Sequence, residues 1–231
     1  MKVGYEDLGT MSYKECWEYQ QRLFESRLQC HNEAGAEATK AGDILVVEHR
    51  PVYTLGKSGK AQNMLIDEAR LKALGAEYFH IDRGGDITFH GPGQIVCYPI
   101  LDLSLLGIGL RRYIEILEEA VIATVAEYGI EAERLEGATG VWICNRDAEG
   151  RASMWRKICA IGVRASHFVT MHGLALNVAT DLRWFTMINP CGFVDKGVTS
   201  IERERGEATD IDEVKGKLKR HLTRLLGVEV N

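Results

Sequence analysis

Residues 83–94, Arg-Gly-Gly-Asp-Ile-Thr-Phe-His-Gly-Pro-Gly-Gln, run directly into Ile-Val-Cys-Tyr-Pro-Ile-Leu at 95–101, and this stretch decides the fold class. Residues 94–101 are apolar almost throughout, the pattern of a strand buried on both faces. Residues 86–89 form a shorter strand-like run, bracketed by Gly84, Gly85, Gly91, Pro92 and Gly93. Glycine costs conformational entropy, so it clusters where backbone turns at positive φ or touches a ligand closely. A loose hairpin and the wall of a ligand site both fit the composition, and both readings stay open at this point.

Toward the N-terminus, 76–82 leads into this stretch as a strand, and Asp67 is placed to cap a short helix that Gly75 stops. Residues 43–48 and 52–55 read as strands interrupted by Arg50-Pro51, and 32–40 is small and polar, a loop. Ser12 and Glu15 form a capping-box pattern, after which Cys16, Tyr19, Leu23 and Phe24 recur at helical spacing. Toward the C-terminus, Tyr113, Leu117, Val121 and Val125 mark a helix over 110–128, ended by Gly129. Strands are expected at 141–144, 157–163 and 174–178, with a polar hairpin loop over 145–155. A last helix covers 211–226, followed by Gly227 and a short β tail. Hairpin-like spacings outnumber βαβ spacings, so the expectation is one α/β (α+β) domain over residues 1–231, with a mixed, mainly antiparallel sheet and flanking helices.

At 231 residues the chain is long enough for a substantial core, and 45% hydrophobic content excludes general disorder. A net charge of −5 argues against a nucleic-acid partner, because neutralising phosphates needs a basic face. The N-terminus has no apolar leader and no segment has 18 uninterrupted apolar residues, so a soluble, cytoplasmic protein without a membrane partner is expected. Six scattered cysteines without a CxxC suggest neither a disulfide framework nor a zinc ribbon.

Among these cysteines, Cys16, Cys97, Cys144 and Cys159 lie in helical or strand patterns and read as core. Cys191 differs, because Pro190 stiffens its approach and Gly192 opens its other side. A thiol with an ordinary pKa of about 8.5 is mostly protonated at neutral pH, so a nucleophilic cysteine needs a basic partner. The candidates are Lys157, His90 and His172. Lys157 opens the apolar run 157–163; it either snorkels to solvent or, if desolvated, serves as a base. His49, His90 and His172 show no metal-ligand spacing, and no P-loop or dinucleotide fingerprint is present, so neither a metal nor a cofactor is expected.

Four blocks carry a family resemblance: EHRPVYTLG (48–56), RGGDITFHGPGQIVCYPILDL (83–103), KICAIGVRASHFVTMHGLALNV (157–178) and NPCGFVDKGVTS (189–200). Together they resemble the lipoyl(octanoyl) transferases of protein lipoylation. The resemblance implies the fold of biotin and lipoate protein ligases. It implies transfer of an octanoyl group from octanoyl-acyl carrier protein to a lysine of lipoyl domains, those of 2-oxoacid dehydrogenases and of the glycine cleavage H protein. It assigns Cys191 as the acyl-accepting nucleophile and Lys157 as its activating partner. Three segments are expected to line the acyl site. The first is Arg83, Gly84, Gly85 and Asp86 with Ile87, Thr88, Phe89 and His90; the others are Ala160, Ile161 and Gly162, and Gly173, Leu174 and Ala175.

The chain departs from the pattern at Cys159, at Glu136-Gly137-Ala138, at Arg50 and in a longer 147–155 segment, which leaves Lys157 and Cys191 untouched. Arg111, Arg112, Lys215, Lys219 and Arg220 are candidates to dock acidic partners, or equally a solvated helix face. The rival readings are an ATP-dependent lipoate or biotin ligase, a non-catalytic acyl- or lipoyl-domain-binding module, and a cysteine hydrolase using His90 or His172.

Overall fold

The structure is a computed structural model that describes residues 1–33, 39–189 and 196–230. The chain begins with β1 (Lys2–Met11) and α1 (Tyr13–Glu33), then β2 (Lys40–His49) and β3 (Val52–Leu55). Next come α2 (Glu68–Ala73), β4 (Glu77–His80), β5 (Ile87–His90), β6 (Gln94–Leu101) and α3 (Leu110–Ala126). The second half holds β7 (Glu133–Leu135), β8 (Ala138–Arg146), β9 (Ala152–Ser166), β10 (Val169–Asn177) and a 3-10 turn over Leu182–Met187. It closes with β11 (Gly197–Val198), α4 (Ile201–Arg205), α5 (Ile211–Leu226) and β12 (Glu229–Val230).

Among the described residues, nine strands form one mixed sheet in the order β12-β1-β2-β6-β10-β9-β8-β7, with β11 pairing parallel to β9. Every residue of the central strands β6 and β10 is buried, which is why their sequences read as continuous apolar runs. Alternate side chains serve opposite faces. Ile95 and Cys97 join Leu117 and Val121 of α3 and Leu218 and Leu222 of α5; Val96 and Tyr98 join Cys16 and Phe24 of α1. A second sheet, β4-β3-β5, packs Tyr53, Leu55, Ile87 and Phe89 against Phe185 of the 3-10 turn.

The expected architecture is therefore present, and β6 and α5 have the expected boundaries. The differences have local causes. The hairpin loop expected over 145–155 is mostly strand, because β8 runs to Arg146 and β9 starts at Ala152. Its side chains are largely exposed, so polar composition there reports solvent rather than a turn. β1 carries Lys2, Glu6 and Asp7 in a largely exposed pattern, and no apolar alternation announces it. Asp67 caps α2 as expected, its side chain accepting from Arg70 N.

Candidate functional site

A cavity of about 490 Å³ has walls from both sheets. From the loop between β4 and β5 come Arg83, Gly84, Gly85 and Asp86, and from β5 of the small sheet Ile87, Thr88 and His90. From the large sheet come Ala160, Ile161 and Gly162 of β9 and Gly173, Leu174 and Ala175 of β10. Three stretches distant in sequence thus meet around one space. Phe89 differs from its neighbours. Strand alternation turns its ring away from Thr88 and His90, and it stacks on Trp184 with centroids 4.9 Å apart.

Glycine allows this closeness. The 83–86 loop is fastened to 56–58 by Lys57 N to Arg83 O at 3.0 Å and Ser58 N to Gly85 O at 3.2 Å. It is fastened to β9 by Gly84 N donating to Val163 O at 2.9 Å. A β-carbon on Gly162 would stand 2.7 Å from Gly84 O, and one on Gly173 would stand 2.1 Å from Cys97 O. Both glycines are therefore there for backbone contact, not for unusual dihedrals.

Behind the wall runs a directed hydrogen-bond chain whose donors can be assigned. Arg83 Nη2 donates to the Thr54 carbonyl at 2.7 Å and to Thr54 Oγ1 at 3.0 Å. Gln94 Nε2 faces the obligate acceptor Phe89 O at 3.1 Å, so its Oε1 is the atom that accepts from His90 Nδ1 at 2.8 Å. His90 Nε2 is then an acceptor for the Thr54 hydroxyl at 3.3 Å. Gln94 Nε2 also donates to Asn177 Oδ1 at 2.8 Å, and Asn177 Nδ2 donates to Thr199 O at 2.9 Å. Finally Thr199 N donates to Lys157 O at 3.0 Å. Burial, with His49 nearby, pushes the His90 pKa down to about 3, and burial lowers that of His49 to about 4. Both rings are therefore neutral at physiological pH. His90 is a fixed element of the wall rather than a titrating base.

Lys157 lines the same cavity. Its Nζ stands 4.5 Å over the Trp142 ring and donates to Thr139 O at 3.4 Å. Glu118 of α3 steadies that carbonyl's neighbourhood, accepting from Gly140 N at 3.0 Å and from Arg134 Nε at 2.8 Å. Lys196, Gly197 and Val198 complete this end, β11 lying parallel to β9 opposite Arg156 and Lys157. Cys191 lies outside the described residues.

His172, also on the cavity wall, donates Nε2–H to Asp82 Oδ1 at 3.0 Å, and Arg164 pairs with the other oxygen of Asp82. The His172 hydrogen bond, with Arg164, holds the Asp82 carboxyl below its usual range, while burial lowers the pKa of His172 itself. Of the docking candidates, Lys215 is buried beneath Asp7, Glu48 and Asp212 and is unavailable to a partner. Arg112 is paired with Glu115 and Glu119, and Arg220 with Glu127. Sequence reasoning missed Gln94, Asn177 and Trp142, although polar Gln94 and Asn177 at the ends of apolar strands were the available signal.

Residues 12–223 match the lipoyl protein ligase A/B catalytic domain family. The chain belongs to that family. It is 54% identical over 226 residues to the octanoyltransferase of Bacteroides fragilis, covering 98% of this chain and 99% of that one. Two solved structures share the fold. One is from the structure of a bipartite lipoate protein ligase and its E2 lipoyl domain from Thermoplasma acidophilum (TM-score 0.69, 16% identity, 100% of this chain and 86% of that one). The other is the biotin protein ligase of Aquifex aeolicus with biotin and ATP (TM-score 0.52, 15% identity, 98% and 70%). At those identities the two structures speak for the fold alone. Among the described residues no helix is long and apolar enough to cross a membrane.

Proposed function

We propose that residues 1–231 act as one catalytic domain, an octanoyltransferase of protein lipoylation. It moves an octanoyl group from octanoyl-acyl carrier protein to a lysine of lipoyl domains, those of 2-oxoacid dehydrogenases and the glycine cleavage H protein, in the cytoplasm. The observation that carries this reading is the near-full-length similarity to an octanoyltransferase, together with a cavity whose middle is apolar (Ile161, Leu174, Ala175) and whose end holds Lys157.

In this mechanism Lys157 receives the proton of the Cys191 thiol, and the thiolate attacks the carrier's thioester carbonyl. A C–S bond to Cys191 forms, the C–S bond to the carrier breaks, and the carrier thiolate leaves with the proton returned by Lys157. The acceptor lysine's amine then attacks the Cys191 thioester, giving up its proton to Lys157, and the amide forms as Cys191 is released as a thiol. The first step exchanges like for like and the second is downhill, so no nucleotide is consumed.

Mixing the protein with octanoyl-acyl carrier protein is expected to give a hydroxylamine-sensitive octanoyl adduct, read by mass. A thioester adduct on Cys191→Ser, cleaved by neutral hydroxylamine as an oxygen ester is not, would remove Cys191 from the mechanism. Lys157→Ala is expected to slow acylation by about a hundredfold or more at neutral pH; an unchanged rate would remove Lys157 as the base. Pyrophosphate release with free octanoate and ATP would point to a ligase instead.

A further inference from the structure

The cavity's other end is polar, and its centre is His172. This residue lies inside β10 with φ at 63°, in the left-handed region where a non-glycine residue is strained. Its side chain is only 2% exposed. Because a carboxylate only accepts, the ring proton facing Asp82 is on Nε2, and Nδ1 carries a lone pair. Nδ1 is buried and has no hydrogen-bond partner among the described residues. A buried acceptor left unpaired is costly, and here it falls on a residue whose backbone is already strained. Two independent penalties on one cavity-lining residue are typical of a position shaped to hold a ligand.

The surroundings agree. Tyr98 meets the His172 ring edge-on, with centroids 6.4 Å apart. Tyr13, Tyr98 and Arg83 share that part of the wall, and Tyr13 lies parallel to His90 with centroids 6.1 Å apart. The spacing to the reactive end also fits. His172 pairs with Val163, six residues along β9 from Lys157, or roughly 20 Å of strand. The Lys157 amine leans along the strand toward it, reaching Thr139, which lies beyond the Val141–Cys159 pair. An extended eight-carbon chain spans roughly 9 Å. Starting beside the amine, it passes Ile161 and Leu174 and brings its ω carbon toward His172.

We propose that this end is a subsite for a hydroxyl group at the ω position of a medium-chain acyl group, its O–H donating to His172 Nδ1. The proposal rests on the acyl-transfer reading of the cavity. It predicts a substrate class, ω-hydroxyacyl thioesters, that a purely apolar slot would disfavour.

Carrier-protein thioesters of 8-hydroxyoctanoate and nonanoate have the same length and differ only in O–H against CH3. An apolar end favours nonanoyl. A built hydroxyl subsite is expected to favour 8-hydroxyoctanoyl by about tenfold or more in kcat/KM. His172→Phe removes the acceptor and is expected to reverse the preference, whatever happens to the absolute rate. His172→Asn tolerates the left-handed backbone and supplies an amide oxygen, so it is expected to keep part of the preference; this variant carries the test if His172→Phe does not fold. Equal or better use of nonanoyl by the wild type, or an unchanged ratio in His172→Phe, overturns the proposal. Calorimetric binding of 8-hydroxyoctanamide against nonanamide reads the same preference without turnover. If octanoyl transfer itself is absent, the enzymatic reading fails while the binding ratio still decides this one.

Discussion

Gly162 makes the sharpest claim of any single residue on the cavity wall. No positive φ is demanded of it, yet its missing β-carbon would stand 2.7 Å from Gly84 O and 3.2 Å from Arg83 Cδ. Adding one methyl therefore pushes two cavity-lining segments apart, and because the atom it meets is a backbone oxygen the shift falls on the hydrogen-bonded 83–86 loop. Gly162→Ala is expected to lower the melting temperature measurably and to lose about tenfold or more in acylation rate, since a shift of order 1 Å in a positioned substrate is enough for that. The octanoyl-adduct time course and a thermal melt measure the two effects separately. Wild-type acylation by Gly162→Ala would mean that the close contact of Gly84 with Gly162 does not set the position of the acyl chain.

Elements explain how much of this was legible in the sequence. β6 and α5 could be read to the residue, because one is buried at every position and the other has a strong apolar stripe with Asp210 and Gly227 as caps. The β8–β9 hairpin could not, since solvated strands and loops share a composition. The glycine segments announced a close-packed wall, but the partners that hold it did not announce themselves. Gln94, Asn177 and Thr199 come from different elements, and only the sheet order places them in line. This line couples β5, β6, β10 and the residue after β11, so it is tested as a unit. Gln94→Glu keeps the acceptor for His90 but turns oxygen toward Phe89 O and Asn177 Oδ1. Losing both donated bonds is expected to cost about 1–3 kcal/mol in urea unfolding. Asn177→Asp, which faces an oxygen toward Thr199 O, is expected to cost a similar amount. The double variant should cost more than the sum, because it sets two buried carboxylates against each other where Gln94 Nε2 met Asn177 Oδ1 at 2.8 Å. Full additivity would show that the chain is not continuous.

For the molecule as a whole, the buried histidines set a pH limit that the carboxylates do not. His49 and His90 are held neutral, with pKa values pushed down to about 4 and about 3 by burial, and His172 is lowered in the same direction. In the unfolded chain the same rings titrate near 6.5. Below that pH the unfolded state binds protons that the folded state refuses, so the balance moves toward unfolding. Their contribution is complete above pH 6.5 and is lost as pH falls toward the folded values. Each ring contributes a slope of up to about 1.4 kcal/mol per pH unit. Asp82 and Glu204, whose carboxyls are held low by their partners, add their own loss only when pH falls below the ordinary carboxylate range of about 4. Stability should therefore be nearly flat from pH 8 to 6.5 and fall steeply between 6.5 and 4.5, a window that belongs to the histidines. His49 donates to Met11 O at 3.1 Å and accepts from the Tyr98 hydroxyl at 2.8 Å, and both roles suit a glutamine amide. His49→Gln should thus remove one proton from the slope while keeping both bonds. Urea midpoints at half-unit pH steps measure it. A His49→Gln slope equal to that of the wild type would place the acid sensitivity elsewhere in the fold.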